Sequence, residues 1–297
     1  MYWKREALAL TDPRLRAAGG HLRPPRVFGV HTGASGELRL WLEDAPGKPG
    51  PGWVLRDYEL AALHLGRFQG AFLAPRALPE ENWWSRDWVR AYVERRHDRF
   101  ASPLARNIPQ HPLLKLAFSG DVSSRVATIW ASRHAMLDRL DRTPQTLCHH
   151  DFWTKNLFIE PTASGSAVST VAIDWAYAGI GALGSDIATL MSDAINDHFI
   201  SSEQIEVFSN GVFEAYRRGL ADTGANINVR TLRFAYCATV SLKLLWVIPD
   251  LFATASRTDP KQPFATSLEQ LFITRGRFAR HLLALADEAS SLGEPLR

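Results

Sequence analysis

Residues 147–158, LCHHDFWTKNLF, crowd a thiol, two imidazoles, a carboxylate, an ammonium and a carboxamide between apolar ends. Three chemistries compete for that set: metal binding, nucleophilic catalysis and the positioning of a phosphate. Zinc prefers spaced ligands, as in CxxC or HxxxH, because adjacent side chains point apart and do not converge on one ion. Cys148, His149, His150 and Asp151 are adjacent, and no partner cluster of Cys and His occurs elsewhere. A Cys–His nucleophile is no better supported. Cys148 closes an apolar run, where a free cysteine is ordinarily a packing residue.

The third chemistry draws on residues beyond the cluster. His149-x-Asp151-x-x-x-x-Asn156 is followed by NLFIE and VSTVAIDW, two short apolar, β-branched segments joined by PTASGSA, which reads as a hairpin. Phosphoryl transfer from ATP needs a carboxylate to orient or deprotonate the attacking hydroxyl. It also needs a carboxamide and a second carboxylate to hold magnesium ions on the phosphates. The hairpin predicts that Asp174, ending the second strand, returns beside Asn156. Hard oxygen ligands of this kind suit magnesium, which sulfur and imidazole do not.

HHDFWTKN followed by AIDW resembles the H-x-D-x-x-x-x-N … D pattern of the aminoglycoside phosphotransferase and choline kinase group, which has the protein-kinase-like fold. The resemblance implies that Asp151 is the catalytic base or hydroxyl-orienting residue, that Asn156 and Asp174 hold Mg2+, and that His149 braces the loop. It implies an ATP- and Mg2+-dependent phosphotransferase whose acceptor is a hydroxyl of a small molecule. His150 stands where the family has a small residue, a departure that could narrow the site or reach the substrate. Lys155 lies inside the loop and is read either as approaching the γ-phosphate or as a solvated lysine. Asp186 corresponds to an acidic residue after the metal aspartate, placed to cap the next helix and to accept N–H bonds from the loop. Glu43 and Asp44 fall where the family's hinge holds the adenine through backbone groups, so their side chains need not touch it, and Glu6 resembles the helix glutamate whose lysine partner is absent.

The elements that must position these groups are α+β in pattern. EALALTDPRLRAAG has helical spacing and stops at Gly19–Gly20. PPRVFGVHT and GELRLWLEDA read as two strands joined by TGASG, and DAPGKPGPGW as a linker or wide turn. Helices dominate from Val54, among them VLRDYELAALHLGRFQGAFL and SSRVATIWASRHAMLDRLDRT. Ser201 and Gln204 have the spacing of a capping box. The expected organisation is a small N-terminal lobe over residues 1–48 and a mainly helical C-terminal lobe over 49–297 that carries the catalytic hairpin.

A kinase of this fold normally opens with a Gly-rich hairpin and a strand lysine. Neither is found here: Lys4 runs straight into helical periodicity, so the first two or three strands of the lobe read as missing. A shortened chain and a catalytically impaired kinase-like binding protein are the two explanations, and the intact H-D-N-D set favours the first. Loss of the phosphate-covering loop should cost several orders of magnitude in rate.

Composition narrows the partners. With 46% hydrophobic residues the 297-residue chain can fill a core without metals or disulfides. Its two cysteines suggest a reducing, cytoplasmic setting. A formal charge of +3 with arginines set beside acidic residues, as in YVERRHDRF, lacks the concentrated basic stripe of a nucleic-acid binder. The apolar run YCATVSLKLLWVIPDLFATA is broken by Lys243, Pro249 and Asp250 and reads as a buried helix ending near the proline, not a membrane span. Asp193 and Asp197, four apart, share a helix face that is either solvated or attracts a cationic acceptor. The ten tryptophans read as core first, with Trp175 and Trp246 as candidate stacking platforms.

Overall fold

The computed structural model of the chain describes residues 2–18, 21–73, 78–101, 111–161, 168–257 and 267–293. The stop at Gly19–Gly20 and the turn over residues 162–167 lie outside the described residues. The first helical segment is two helices, α1 (Arg5–Thr11) and α2 (Pro13–Ala17), because Pro13 forces Asp12 into extended backbone. Asp12 then caps α2, accepting from the Arg14 N–H at 2.8 Å.

Strand β1 (Leu22–Arg23) is short, and β2 (Val27–Thr32) pairs antiparallel with β3 (Leu38–Leu42) in the expected hairpin. The Gly/Pro-rich stretch is no loose linker. Lys48–Pro49 form β4, pairing with Ile159 and Phe158, and Gly50–Gly52 make a 3-10 turn. Gly47 has φ +105° and lies against the Ile159 carbonyl, while a Cβ on Gly50 would strike the Thr154 carbonyl. These glycines permit contact between this stretch and the loop of residues 149–156.

Helix α3 (Leu55–Gly70) follows, then α4 (Trp88–Glu94), α5 (Asp98–Ala101), α6 (Pro112–Ala117), α7 (Val122–Ala131) and α8 (Arg133–Leu140). The central strands are β5 (Gln145–Cys148), β6 (Leu157–Pro161), β7 (Val168–Ala172) and β8 (Gly179–Ala182). One sheet has the order β1-β7-β6-β4, so β1 and β4, both from the first fifty residues, flank the predicted hairpin; β5 pairs with β8 separately.

The C-terminal helices are α9 (Ser185–Asn196), α10 (Ile205–Ala221), α11 (Val229–Leu244), α12 (Val247–Ala255) and α13 (Leu268–Gly293). Ser201 does not cap α10: its hydroxyl bonds the Gln204 side chain, and Gln204 is itself the N-cap. Nor does Pro249 end a helix. The break falls at Leu245–Trp246, and Pro249 sits in the first turn of α12, where a missing N–H is tolerated. Val229–Ala255 is long and apolar enough to cross a membrane, but 78% of its most apolar window is buried inside the protein. Helices α3 and α10 cross at glycines, since a Cβ on Gly66 would meet the Tyr216 carbonyl and one on Gly219 the Leu63 carbonyl.

Candidate active site

The hairpin register decides which residues meet. Leu157 pairs with Ala172, so Asn156 and Ile173 stand opposite each other, and the Ile173 N–H donates to the Asn156 carbonyl at 2.9 Å. Asp174 follows immediately at φ 61°, a left-handed conformation that aspartate tolerates better than most residues. Among the described residues its carboxylate has no hydrogen-bond or ion-pair partner. Across the loop, Asn156 Nδ2 donates to Asp151 Oδ2 at 3.0 Å and to the Asp151 carbonyl at 3.1 Å. Among the described residues that leaves the Asn156 carboxamide oxygen without a hydrogen bond, beside two carboxylates. Burial pushes the Asp151 carboxyl up, Lys243 opposes the shift, and the negative Asp174 adds to it.

His149 lies fully inside. Its Nδ1 accepts the Asp151 N–H at 3.2 Å, so the proton sits on Nε2 and is donated to the Ile173 carbonyl at 2.9 Å. One imidazole thus ties the loop to the second strand, and burial lowers its pKa to about 4, keeping it neutral. Asp186 holds the loop from the other side. Its two oxygens accept the backbone N–H groups of His149 at 2.7 Å and His150 at 2.8 Å, and Gln69 Nε2 donates to it at 2.9 Å. Burial raises its pKa to about 6. The cap of α9 is Gly184, so Asp186 serves the loop and not the helix end. Cys148, His150 and Asp186 bring donor atoms within 4.8 Å of one another, yet both Asp186 oxygens are already engaged by N–H groups.

Asp151 opens onto a cleft of about 630 Å³. Trp88 and Tyr92 form one wall, Trp153 another, and four cationic side chains (Arg95, Arg96, Arg99, Lys243) face three aspartates. Lys243, nearly buried, donates to Asp193 at 3.0 Å and to Thr189 at 3.2 Å.

Several sequence expectations shift. His150 does not reach the cleft: it is buried at φ 65° and stacks on Trp88 at 5.5 Å, supporting the wall from behind. Lys155 turns away from the strand hairpin, pairing with Asp197 at 3.2 Å and lying over the Trp153 ring. The side chain of Glu43 is taken by Arg23 at 2.7 Å and by the Arg26 N–H at 3.0 Å, so it pins the end of β3 and is not available to a nucleotide. Asp44 follows it, at the mouth of the segment leading to β4. Glu6 does come near Asp174: burial, then the Asp174 charge, raise its pKa, while the Trp175 N–H lowers it. No Lys or Arg pairs with it among the described residues. Asp193 and Asp197 are each matched by a lysine, so that face is neither open nor simply solvated. Trp175 is fully buried against His149, whereas Trp246 carries two arginines at the cleft rim.

The sequence reading missed Lys243, Gln69 and the arginine wall. A lysine inside an apolar helix was the available signal for Lys243, since such a charge is buried only with a partner. The arginines were hidden by their neighbours in ERRHDR. Glu94 faces Arg133 and His134 instead, because residues adjacent in sequence do not share a helix face.

With this geometry in hand, the chain was compared with known proteins. The sequence model of the phosphotransferase enzyme family (APH) matches residues 7–223. No curated protein matches significantly. Among solved structures, a choline/ethanolamine kinase family protein from Mesorhizobium loti aligns with a TM-score of 0.53 at 12% identity, over 98% of this chain and 84% of that one. An amicoumacin kinase in complex with AMP-PNP and Ca2+ gives 0.53 at 14% identity, over 95% and 78%. The GDP complex of aminoglycoside 2'-phosphotransferase-IIIa gives 0.50 at 16% identity, over 98% and 82%. These likenesses show the fold: α+β and protein-kinase-like.

Proposed function

Because this chain belongs to the phosphotransferase enzyme family (APH), we propose that it transfers the γ-phosphoryl group of ATP to a hydroxyl of a small molecule held over Asp151. One observation carries the reading: Asn156 bonds Asp151 directly, while the strand pairing at Ile173 sets Asp174 beside Asn156. Asp151 is the base or orienting group. The acceptor hydroxyl oxygen forms a bond to the γ-phosphorus as the bond from that phosphorus to the β–γ bridging oxygen breaks, ADP leaves, and the hydroxyl proton passes to the Asp151 carboxylate.

The free carboxamide oxygen of Asn156 and the unpartnered carboxylate of Asp174 are hard donors of the type that magnesium takes, so the residues present fit the ion. When bound, Mg2+ would neutralise phosphate charge. His149 keeps the loop backbone fixed, and Asp186 satisfies the N–H groups that would otherwise be buried unpaired. The cleft supplies the acceptor site, and the β3–β4 connection through Glu43 and Asp44 the adenine side by backbone groups.

A second reading rests on Glu6, whose carboxyl faces Asp174 without a basic partner among the described residues. In that case the protein binds nucleotide with little turnover. Calorimetry with Mg2+ and ATP, followed by a phosphate-transfer assay on wild type and Asp151→Asn, tests both. Transfer that falls by about a hundredfold or more in the variant, with ATP binding retained, supports the enzyme. Binding without transfer supports the second reading, and absence of nucleotide binding sinks both.

A further inference from the structure

The cleft over Asp151 has an electrostatic character that its acidic residues conceal. Asp193 is matched by Lys243 at 3.0 Å and Asp197 by Lys155 at 3.2 Å, so two of the three carboxylates bring no net charge. The arginines that line the same cleft are different. The Arg96 guanidinium lies 4.6 Å from the Tyr92 ring and 5.2 Å from the Trp246 ring, and donates to the Tyr92 hydroxyl at 2.8 Å. Arg99 lies 4.6 Å from the Trp246 ring, and Arg95 lines the same cleft. None of the three pairs with a carboxylate among the described residues. Glu94, the nearest acid in sequence, points to Arg133 and His134.

Ring faces attract a guanidinium but carry no counter-charge, so stacking fixes the cation without neutralising it. A stacked guanidinium still presents its edge N–H groups, whose fork matches the two oxygens of a carboxylate or phosphate. We propose that the acceptor is an anion: a hydroxyl compound bearing a carboxylate or phosphate group, which Arg96 and Arg99 grip while its hydroxyl is presented to Asp151. A cationic acceptor would meet this wall head-on, with only Asp151 left to attract it. The inference rests on the phosphotransferase reading of the same cleft and adds the class of substrate.

The test is a tryptophan-fluorescence titration of the full chain without nucleotide, since Trp88 and Trp153 line the cleft. The probes are glycerate and glycerol phosphate against choline and kanamycin, and the first two separate carboxylate from phosphate as the anchor. Both or one of the anions should bind more tightly than either cation, and added NaCl should weaken that binding. The Arg96→Gln/Arg99→Gln double variant should weaken it about tenfold. Arg99→Lys, which keeps the charge and loses the fork, gives a smaller loss and serves if the double variant fails to fold. Tighter binding of choline or kanamycin, no anion binding by the wild type, or unchanged anion binding in the variants overturns the proposal. Anion binding without any transfer from ATP condemns only the phosphotransferase reading. Transfer to choline or kanamycin, with neither anion bound, condemns only this one.

Discussion

Asp186 accepts the backbone N–H of His149 at 2.7 Å across 37 residues of chain, and the adjacent N–H of His150 goes to its other oxygen. The loop that carries Asp151 is therefore held by a carboxylate on α9, which Gln69 on α3 and, through Gln69, Tyr216 on α10 hold in turn. Asp186→Asn replaces one acceptor oxygen with an NH2 group that opposes a backbone N–H. The expected loss of stability is about 2–4 kcal/mol, read from urea midpoints. Gln69→Leu should cost less, and the two losses should not add, because they act on one network.

The crossing of α3 and α10 depends on absent side chains. Gly66→Ala puts a Cβ against the Tyr216 carbonyl, which belongs to backbone and cannot swing aside. A loss of about 1–3 kcal/mol is expected in denaturant unfolding, with transfer activity reduced only as far as folded protein is lost. A normal midpoint for this variant would contradict the close approach.

Under the proposed phosphoryl transfer with Asp151 as base, Lys243 should set the acid limb of activity. Burial raises the Asp151 carboxyl and the Lys243 charge holds it down, so removing the charge lets it rise further. The ionised base is then lost at higher pH on acidification. Lys243→Met should move the acid limb of kcat/KM upward. An unmoved limb would separate Lys243 from Asp151.

Acid stability should report His64, which lies under the sheet with Nδ1 2.9 Å from the Thr170 hydroxyl. Burial lowers its pKa from 6.5 to about 3, so between those values the unfolded chain holds a proton that the folded chain does not. Stability from this group is full at pH above 6.5 and declines as pH falls, by up to about 1.4 kcal/mol per pH unit. His149, lowered to about 4, acts in the same direction. Asp186, raised to about 6, acts in the opposite one, because its folded form is the better proton acceptor between about 4 and 6. His64→Asn should flatten the profile by one proton when urea midpoints at about pH 7 and about pH 5 are compared.

What the sequence determined by itself was the local part of the site. The spacing from His149 to Asn156 and the two apolar strands after it fix a loop and a hairpin, and a hairpin register places Asp174 next to Asn156 by short-range pairing alone. The same holds for β2 and β3, for helix α3 and for the burial of Cys148. Helix breaks at Asp12–Pro13 and at Leu245–Trp246 were less legible, since a proline is compatible with a helix start as well as a helix end. Only the tertiary structure decided the partners of the charges. Lys155 went to Asp197, Glu43 to Arg23, Lys243 to Asp193, and Arg96 and Arg99 to aromatic rings. Each choice depends on which helix packs on which. A long charged side chain reaches whatever the packing brings near, and chain proximity constrains that far less than it constrains a turn or a strand pair.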